Sequence, residues 1–522
     1  MTGKQIQQKG KKTVFRIVYG RTIVVVLALL LQVVLLVLSF IRLTEYSTYI
    51  LIGLTVLSWV LAIYILNRSK DTPEFKLAWI IPVIIIPVFG SLFYIFIRLQ
   101  LGTKLLYKRH KYLLEETKPL LKQESSVEQE LKKENKQVWS LANYMNHYGG
   151  YPIYENTSVK YFPLGDDKFE EMKIQLEKAE KFIFMEYFIV EEGKMWNAIL
   201  EILERKAKQG VDVRFMYDGM CCLVLVPYSY PKKLQEKGIK CKMFQPIRPA
   251  LSTEQNNRDH RKILVIDGHT AFTGGVNLAD EYINQKEIYG HWKDTAVMIK
   301  GDAVQSFTIM FLQMWNITEK EKCDYSLFLN RDAKPGKQDN YGFVMPYGDS
   351  PLDNEYVGEN VYLDILNTAE DYVHIMTPYL IIDNEIITAL KYSAKRGIET
   401  TIIMPHIPDK MYAYLLARTF YQELIEAGVN IYEYTPGFIH AKCFISDDKK
   451  ATVGTVNLDY RSFFLHFECG VFMYGNDEIA NIEKDYQETL KKCRKITIED
   501  CKHYPIVKKV AGRVLRLIAP IM

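Results

Sequence analysis

The sequence predicts an α/β protein in which two copies of one strand–helix pattern pack face to face, behind an apolar, membrane-anchoring head. Three observations predict it. A five-position polar pattern occurs twice with the same internal spacing. Strand-like and helix-like segments recur in the same order around each copy. Three long apolar runs precede both copies.

Thr22–Ile41, the first apolar run, is 20 residues without a charge, long enough to cross a hydrocarbon core about 30 Å thick. Tyr49–Leu66 is a second run, and Leu77–Ile97 a third that contains Pro82, Pro87 and Gly90. The first is too long for the core of a signal peptide, and no small-residue cleavage site follows it. Lys4, Lys9, Lys11, Lys12, Arg16 and Arg21 precede it with no acid among them, which puts the amino terminus in the cytoplasm. Further basic residues follow the second run (Arg68, Lys70, Lys76) and the third (Arg98, Lys104, Lys108, Arg109, Lys111). Keeping all three basic stretches inside requires two spans and a third segment that enters and returns on one side, bent at its prolines. Residues 1–111 are thus expected to form a multi-pass anchor in a cell membrane, with the rest of the chain on the cytoplasmic side. Residues 112–140 are charge-rich and read as a solvated helical linker.

Composition narrows the function. A net charge of +4 over 522 residues gives no polybasic ground for nucleic-acid binding. Eight cysteines lack any paired metal spacing and read as free thiols in a reducing compartment.

Beyond the linker the chain repeats itself. The strand-like run "FIFMEYFIV" precedes a helix-period segment and then "AKQGVDVRFMYDG"; "VHIMTPYLII" precedes a similar segment and "AKRGIETTIIMP". In each, a helix closes at a glycine, Gly210 or Gly397, before a strand. "GIKCKMF" then answers "GVNIYEY", and a ten-residue insertion separates the first of these from its motif. The halves are expected to meet in the polar stretch Asn316–Asn340, giving domains 141–325 and 326–522.

The polar pattern itself is His260-x-Lys262-x4-Asp267-x6-Gly274-x2-Asn277, repeated as His440-x-Lys442-x4-Asp447-x6-Gly454-x2-Asn457. If "KILVI" and "KCFIS" are strands, each histidine and its lysine share a face, and each aspartate ends a strand. The glycines allow close backbone approach, and Asn277 and Asn457 can pin it by hydrogen bonds. Two halves brought together present two imidazoles and two ammonium groups. A neutral imidazole is a nucleophile near pH 7, two lysines stabilise a five-coordinate phosphorus, and a second histidine carries the proton. This chemistry needs no metal or cofactor.

On these residues, with the contexts "NNRDHRKILVIDG" and "NLDYRSFFLHFE", the chain resembles the phospholipase D superfamily with its paired HKD motifs. Within that superfamily it resembles the bacterial cardiolipin synthases, from the apolar head to the basic–apolar end "KKVAGRVLRLIAPIM". The resemblance implies two phospholipase D-like repeats with the active site between them. It implies that one phosphatidylglycerol gives its phosphatidyl group to a histidine, releasing glycerol, and that a second phosphatidylglycerol takes it to form cardiolipin. His260 is then the nucleophile and His440 the general acid/base, an order that the internal symmetry leaves open. Lys262 and Lys442 clamp phosphate oxygens, and Asp267 and Asp447 hold the motif in shape or tune its electrostatics. An acid further along orients each histidine in this family: Glu468 matches that position after His440, and Asp294 is its counterpart after His260. The family's Gly-Ser step stands here as Gly274–Gly275 and Gly454–Thr455, so a hydroxyl is missing from the first half.

The same motifs serve hydrolytic phospholipase D and phosphatidylserine synthesis, and a membrane scaffold with a vestigial site is the non-enzymatic alternative. The apolar head favours lipid, as do Lys508, Lys509, Arg513 and Arg516 interleaved with Val514, Leu515, Leu517 and Ile518, which suit an anionic membrane surface. The sequence leaves the oligomeric state open.

Overall fold

The computed structural model describes residue 34 and residues 47–69, 72–99, 101–247, 256–321, 323–329, 342–353 and 355–521. Apart from residue 34, the expected span Thr22–Ile41 lies outside them, as do most of the ten-residue insertion and residues 330–340 of the expected join. The chain separates into two compact units: residues 1–106 with 247–256 and 517–522, and residues 107–246 with 257–516.

In the first unit Ser47–Leu66 forms one uncharged helix. Leu77–Ile97 is not a single element. Pro73–Ile85 and Pro87–Leu99 are separate helices that double back, bringing the rings of Trp79 and Tyr94 within 5.6 Å between centroids. One continuous helix would hold these residues about 22 Å apart, at 1.5 Å per residue. The break falls at Ile86, whose φ of −126° and ψ of 72° are not helical. Pro87 then starts the second helix, where its missing N–H is harmless. Gly90 marks the close approach, since a Cβ there would meet the Pro82 carbonyl oxygen at 2.2 Å. Ile65, Val83 and Tyr94 form a small core, and the Ser58 and Ser91 hydroxyls share a 3.1 Å hydrogen bond. Among the described residues no helix is long and apolar enough to cross a membrane.

A duplicated sheet dominates the second unit. Its first half contributes β1 (Thr157–Phe162), β2 (Phe182–Tyr187), β3 (Asp212–Asp218), β4 (Lys240–Phe244), β5 (Arg258–Asp259), β6 (Ile263–Ile266), β7 (Thr270–Gly274), β8 (His291–Lys293) and β9 (Ala296–Gly301). The second contributes β10 (Phe343–Asp349), β11 (Tyr372–Met376), β12 (Leu380–Ile381), β13 (Glu399–Pro405), β14 (Asn430–Tyr434), β15 (Gly437–Ile439), β16 (Cys443–Ser446), β17 (Lys450–Gly454), β18 (Leu458–Asp459), β19 (His466–Tyr474) and β20 (Cys493–Lys495). The first sheet runs β1-β9-β7-β6-β2-β3-β4. The second, β10-β19-β17-β16-β11-β13-β14, repeats that order strand for strand and adds β20 at its edge. In each sheet three strands are parallel, β2-β3-β4 and β11-β13-β14, because helices carry the chain across between them. Those helices, Lys194–Lys208 and Asn384–Lys395, are followed by Gly210 and Gly397, both left-handed at φ +93°, as the spacing predicts.

The two halves form one core. Strands β7 and β9 pack against β17 and β19, and the almost wholly buried helix Val304–Asn316 touches β2, β6, β7, β9 and β10. Two short parallel pairings also cross from half to half. β5 pairs with the start of β19 (Arg258 opposite His466, Asp259 opposite Phe467), and β15 with β8 (Phe438 opposite Trp292, Ile439 opposite Lys293).

Residues 112–140 are not a solvated linker. Helices Leu101–Thr117, Ser125–Glu134 and Lys136–Tyr144 bury Leu113, Val127, Leu131, Val138 and Leu141. Gln313 donates to the Thr117 hydroxyl at 2.7 Å, and His110 lies edge-on to Phe467 at 5.4 Å between centroids. The apolar positions share one face at spacings of three and four, and the charges between them mask it in the sequence.

Candidate active site

Each motif's histidine and lysine lie just before a strand rather than on it, for β6 begins at Ile263 and β16 at Cys443. Lys262 Nζ donates to the carbonyl of His260 at 2.6 Å, and Lys442 Nζ to the carbonyl of His440. Each ammonium therefore braces the turn that presents its own histidine.

What fixes each ring is the opposite half. The His260 N–H donates to the Phe467 carbonyl at 3.0 Å, and the His440 N–H to the Lys293 carbonyl at 2.6 Å, each extending one of the crossed strand pairings. The side chains follow the backbone. His260 Nδ1 lies 2.9 and 3.0 Å from the two oxygens of Glu468, and His440 Nδ1 lies 2.6 Å from Asp294 Oδ2. This corrects the sequence expectation, which matched each acid to the histidine of its own half. The carboxylates do orient the histidines, but across the interface, because the strand that carries each acid runs beside the other half's histidine.

The site is buried and its charges act on one another. Burial, then the charges of Lys262, Lys442 and His440, hold His260 well below its ordinary pKa. Burial and Lys442 lower His440 to about 4, against the pull of Asp294. Burial likewise lowers Lys262 to about 8 and Lys442 to about 7, although Glu468 and Asp294 draw both upward. Burial raises Asp294, but the charges of His440 and Lys442 outweigh it and hold the carboxyl below its usual range. Both histidines are neutral in the free protein near pH 7. With Nδ1 donating to a carboxylate, each keeps the Nε2 lone pair for chemistry.

Asp267 and Asp447 stand apart from this cluster. Five residues beyond each lysine along a strand is about 16 Å. Asp267 accepts the backbone N–H groups of Glu180, Lys181 and Phe182 at 2.7–2.8 Å. Asp447 accepts those of Glu370, Asp371 and Tyr372 at 2.8–3.1 Å, and these bonds, with the Ser446 hydroxyl, hold its pKa down against burial. Both have positive φ, 51° and 56°, where each strand turns back. Each ties the end of its motif strand to the start of the neighbouring one.

The asparagines differ between halves. Asn277 accepts from the Ile189 N–H at 3.0 Å and donates to the Tyr282 hydroxyl at 2.9 Å. The Asn457 side-chain oxygen has no partner among the described residues, so the expected pinning is seen only in the first half. The glycine steps differ as well. A Cβ on Gly275 would meet Asp294 Oδ1 at 2.0 Å, whereas Thr455 donates its hydroxyl to Glu468 Oε2. Ser462 donates to Glu468 Oε1 at 2.8 Å. Glu468 is thus shared among His260, Thr455 and Ser462, while Asp294 serves His440 and one backbone N–H.

Several neighbours escaped the sequence reading. Arg261 pairs with the buried Glu186 at 2.5 Å and with Asp259 at 3.3 Å, and Arg258 with the buried Asp218 at 3.4 Å. Phe188 covers His260 at 4.9 Å, and Tyr282 covers His440 at 5.5 Å, between centroids. Ser462, Arg258 and Arg261 sit inside the quoted motif contexts, so proximity in sequence was the only available signal. Among the described residues one set of side chains could hold a metal: His260, His466 and Glu468 have donor atoms within 4.8 Å of one another. The charges of Lys262 and Lys442 oppose a cation there, and both Glu468 oxygens already accept hydrogen bonds.

Residues 172–315 and 362–490 match the family described as "Cardiolipin synthase, PLD-like domain", and residues 56–98 match "Phospholipase D-nuclease N-terminal". An "Uncharacterized protein" of Streptococcus mutans serotype c is 50% identical over 88% of this chain and 99% of its own. "Cardiolipin synthase 2" of Bacillus anthracis is 32% identical over 88% of each chain. "Cardiolipin synthase" of Geobacillus sp. (strain WCH70) is 32% identical over 90% of this chain and 94% of its own. The crystal structure of phosphatidylserine synthase from Haemophilus influenzae Rd KW20 shares the fold at 15% identity, with a TM-score of 0.54 over 70% of this chain and 95% of that one.

Proposed function

The chain belongs to the cardiolipin synthase family of phospholipase D-like phosphatidyltransferases, and from that premise we propose that it joins two phosphatidylglycerol molecules into cardiolipin. His260 Nε2 attacks the phosphorus of the first lipid. The bond to glycerol breaks, and His440 gives its proton to the departing oxygen. A hydroxyl of the second lipid, losing its proton to His440, then attacks the phosphatidyl–His260. The nitrogen–phosphorus bond breaks and its electron pair returns to the ring. Lys262 and Lys442 bind the phosphoryl oxygens and stabilise the five-coordinate transition state.

The observation that carries this reading is the crossed pair of buried imidazole–carboxylate units beside two lysines. Their inequivalence supports the order of the roles. Glu468 spreads its charge over three donors and supports an imidazolium weakly, which suits a nucleophile that must stay neutral. Asp294 gives His440 one short bond and supports the imidazolium that a proton carrier must become. The lysines also draw in a phosphodiester anion, whose charge raises His440 toward protonation when it is needed.

A lipid surface fits the remainder. Each helix of the Pro73–Leu99 pair is 13 residues, about 20 Å, which suits a segment that enters and returns rather than one that spans. The uncharged helix Ser47–Leu66 and the apolar run Thr22–Ile41 then complete a membrane-associated head, with the catalytic unit on the cytoplasmic side. Helix Ile506–Ile518 exposes Val507, Val510, Val514 and Leu517 along one face, flanked by Lys508 and Arg513, while Gly512 on the opposite face is buried. That arrangement suits an anionic leaflet.

The test is purified protein with radiolabelled phosphatidylglycerol in mixed micelles, the products separated by chromatography. Cardiolipin and glycerol are expected. Phosphatidate and glycerol without cardiolipin would make the protein a hydrolase instead.

A further inference from the structure

Two residues before each orienting carboxylate, an aromatic ring lies against the histidine that the carboxylate serves. Trp292 is 5.4 Å from His440 between centroids, and His466 is 5.4 Å from His260. The positions correspond (Trp292–Lys293–Asp294, His466–Phe467–Glu468), yet the residues differ in chemistry. Tryptophan carries one polar ring atom, a donor. Imidazole brings an acceptor as well.

His466 is 8% exposed, and neither ring nitrogen has a hydrogen-bond partner among the described residues. Its Nδ1 stands 3.7 Å from Glu468 Oε1, beyond hydrogen-bond length. Burial lowers its pKa to about 3, so the ring is neutral and holds one proton. A lone pair turned toward Glu468 would be repelled, so that proton belongs on Nδ1. The open nitrogen is then Nε2, a buried acceptor with nothing to accept. Such groups are costly in a folded protein unless a ligand completes them. A phosphoryl oxygen cannot donate to it. A hydroxyl can.

We propose that His466 determines acceptor specificity by taking a hydrogen bond from a hydroxyl of the polyol headgroup bound beside His260. The inference rests on the phosphatidyl-transfer reading above and adds the recognition of the acceptor. A glycerol headgroup has two hydroxyls, so one attacks phosphorus while the other is held at His466. Water and simple alcohols have no second hydroxyl to offer.

The experiment uses the full-length protein in mixed micelles with phosphatidylglycerol as donor, comparing labelled glycerol with labelled 1-propanol as acceptors. The unmodified protein is expected to favour glycerol. His466→Phe, which keeps a ring like that of the other half and removes the acceptor, is expected to lower the glycerol-to-propanol ratio about three- to tenfold. His466→Asn, which restores an acceptor oxygen, is expected to recover it. His466→Leu is a second apolar variant, with thermal melting reporting the fold of all three. An unchanged ratio in His466→Phe and His466→Leu overturns the proposal. So does an equal fall with both acceptors, which is the mark of a phosphoryl contact or of a structural role. If the unmodified protein transfers to neither alcohol, the transfer reading fails first and this inference with it.

Discussion

Asp294 and Glu468 decide how the two imidazoles behave, and their crossed partnership makes the first predictions. His260→Ala and His440→Ala are each expected to lower cardiolipin formation by at least about 10⁴-fold. Glu468→Gln and Asp294→Asn keep the shape and remove the charge, and are expected to cost about 10²–10⁴-fold. Double-mutant cycles in denaturant stability test the crossing directly. Glu468→Gln should couple to His260→Asn by more than about 0.5 kcal/mol and be additive with His440→Asn. The opposite result would restore pairing within each half. The lysines are expected to set the alkaline limb of kcat/KM. Lys442 at about 7 and Lys262 at about 8 lose their charge as pH rises, so kcat/KM should fall through that range and not below it.

At the scale of elements, the aspartates that look catalytic in the pattern are fasteners between strands. Asp267→Ala removes the acceptor of three backbone N–H groups where β6 turns back beside β2. It is expected to cost about 1–3 kcal/mol in denaturant stability while leaving most of kcat in the fraction that stays folded. A fall in kcat like that of His260→Ala would return Asp267 to the chemistry. The helices of residues 112–140 give a similar reversal. Leu131 is fully buried, and Leu131→Ala is expected to destabilise by about 2–5 kcal/mol, whereas a free linker would not notice it. The charged residues around Leu131 made that stretch read as solvated. Alternation of β-strand and helix, by contrast, was legible from "FIFMEYFIV" and "VHIMTPYLII", because strands buried on both faces are apolar throughout.

For the whole molecule, burial of neutral histidines ties stability to pH. His110, His440 and His466 are lowered to about 3–4, and His260 falls well below its ordinary value. Between about pH 6.5 and 4 the unfolded chain binds protons at these rings that the folded chain does not. The contribution of these rings to stability is therefore complete well above about pH 6.5 and drains as pH falls, by up to about 1.4 kcal/mol per pH unit for each ring. Denaturant titrations at pH 7.5 and 5.5 should show the loss. Equal stability at both would mean that the rings are charged in the folded state.

The chain's own order of residues was enough to establish the duplication, the α/β alternation, the glycines that close helices and the histidine–lysine pairs, since each is contiguous and its spacing records local geometry. Which acid serves which histidine was not legible. Glu468 follows His440 and Asp294 follows His260, and nothing local distinguishes pairing within a half from pairing across halves. Only the packing of two sheets, with β5 laid along β19 and β15 along β8, brings each carboxylate to the histidine more than 140 residues away in sequence. Contacts of that range depend on how two surfaces fit, and sequence spacing carries no record of it.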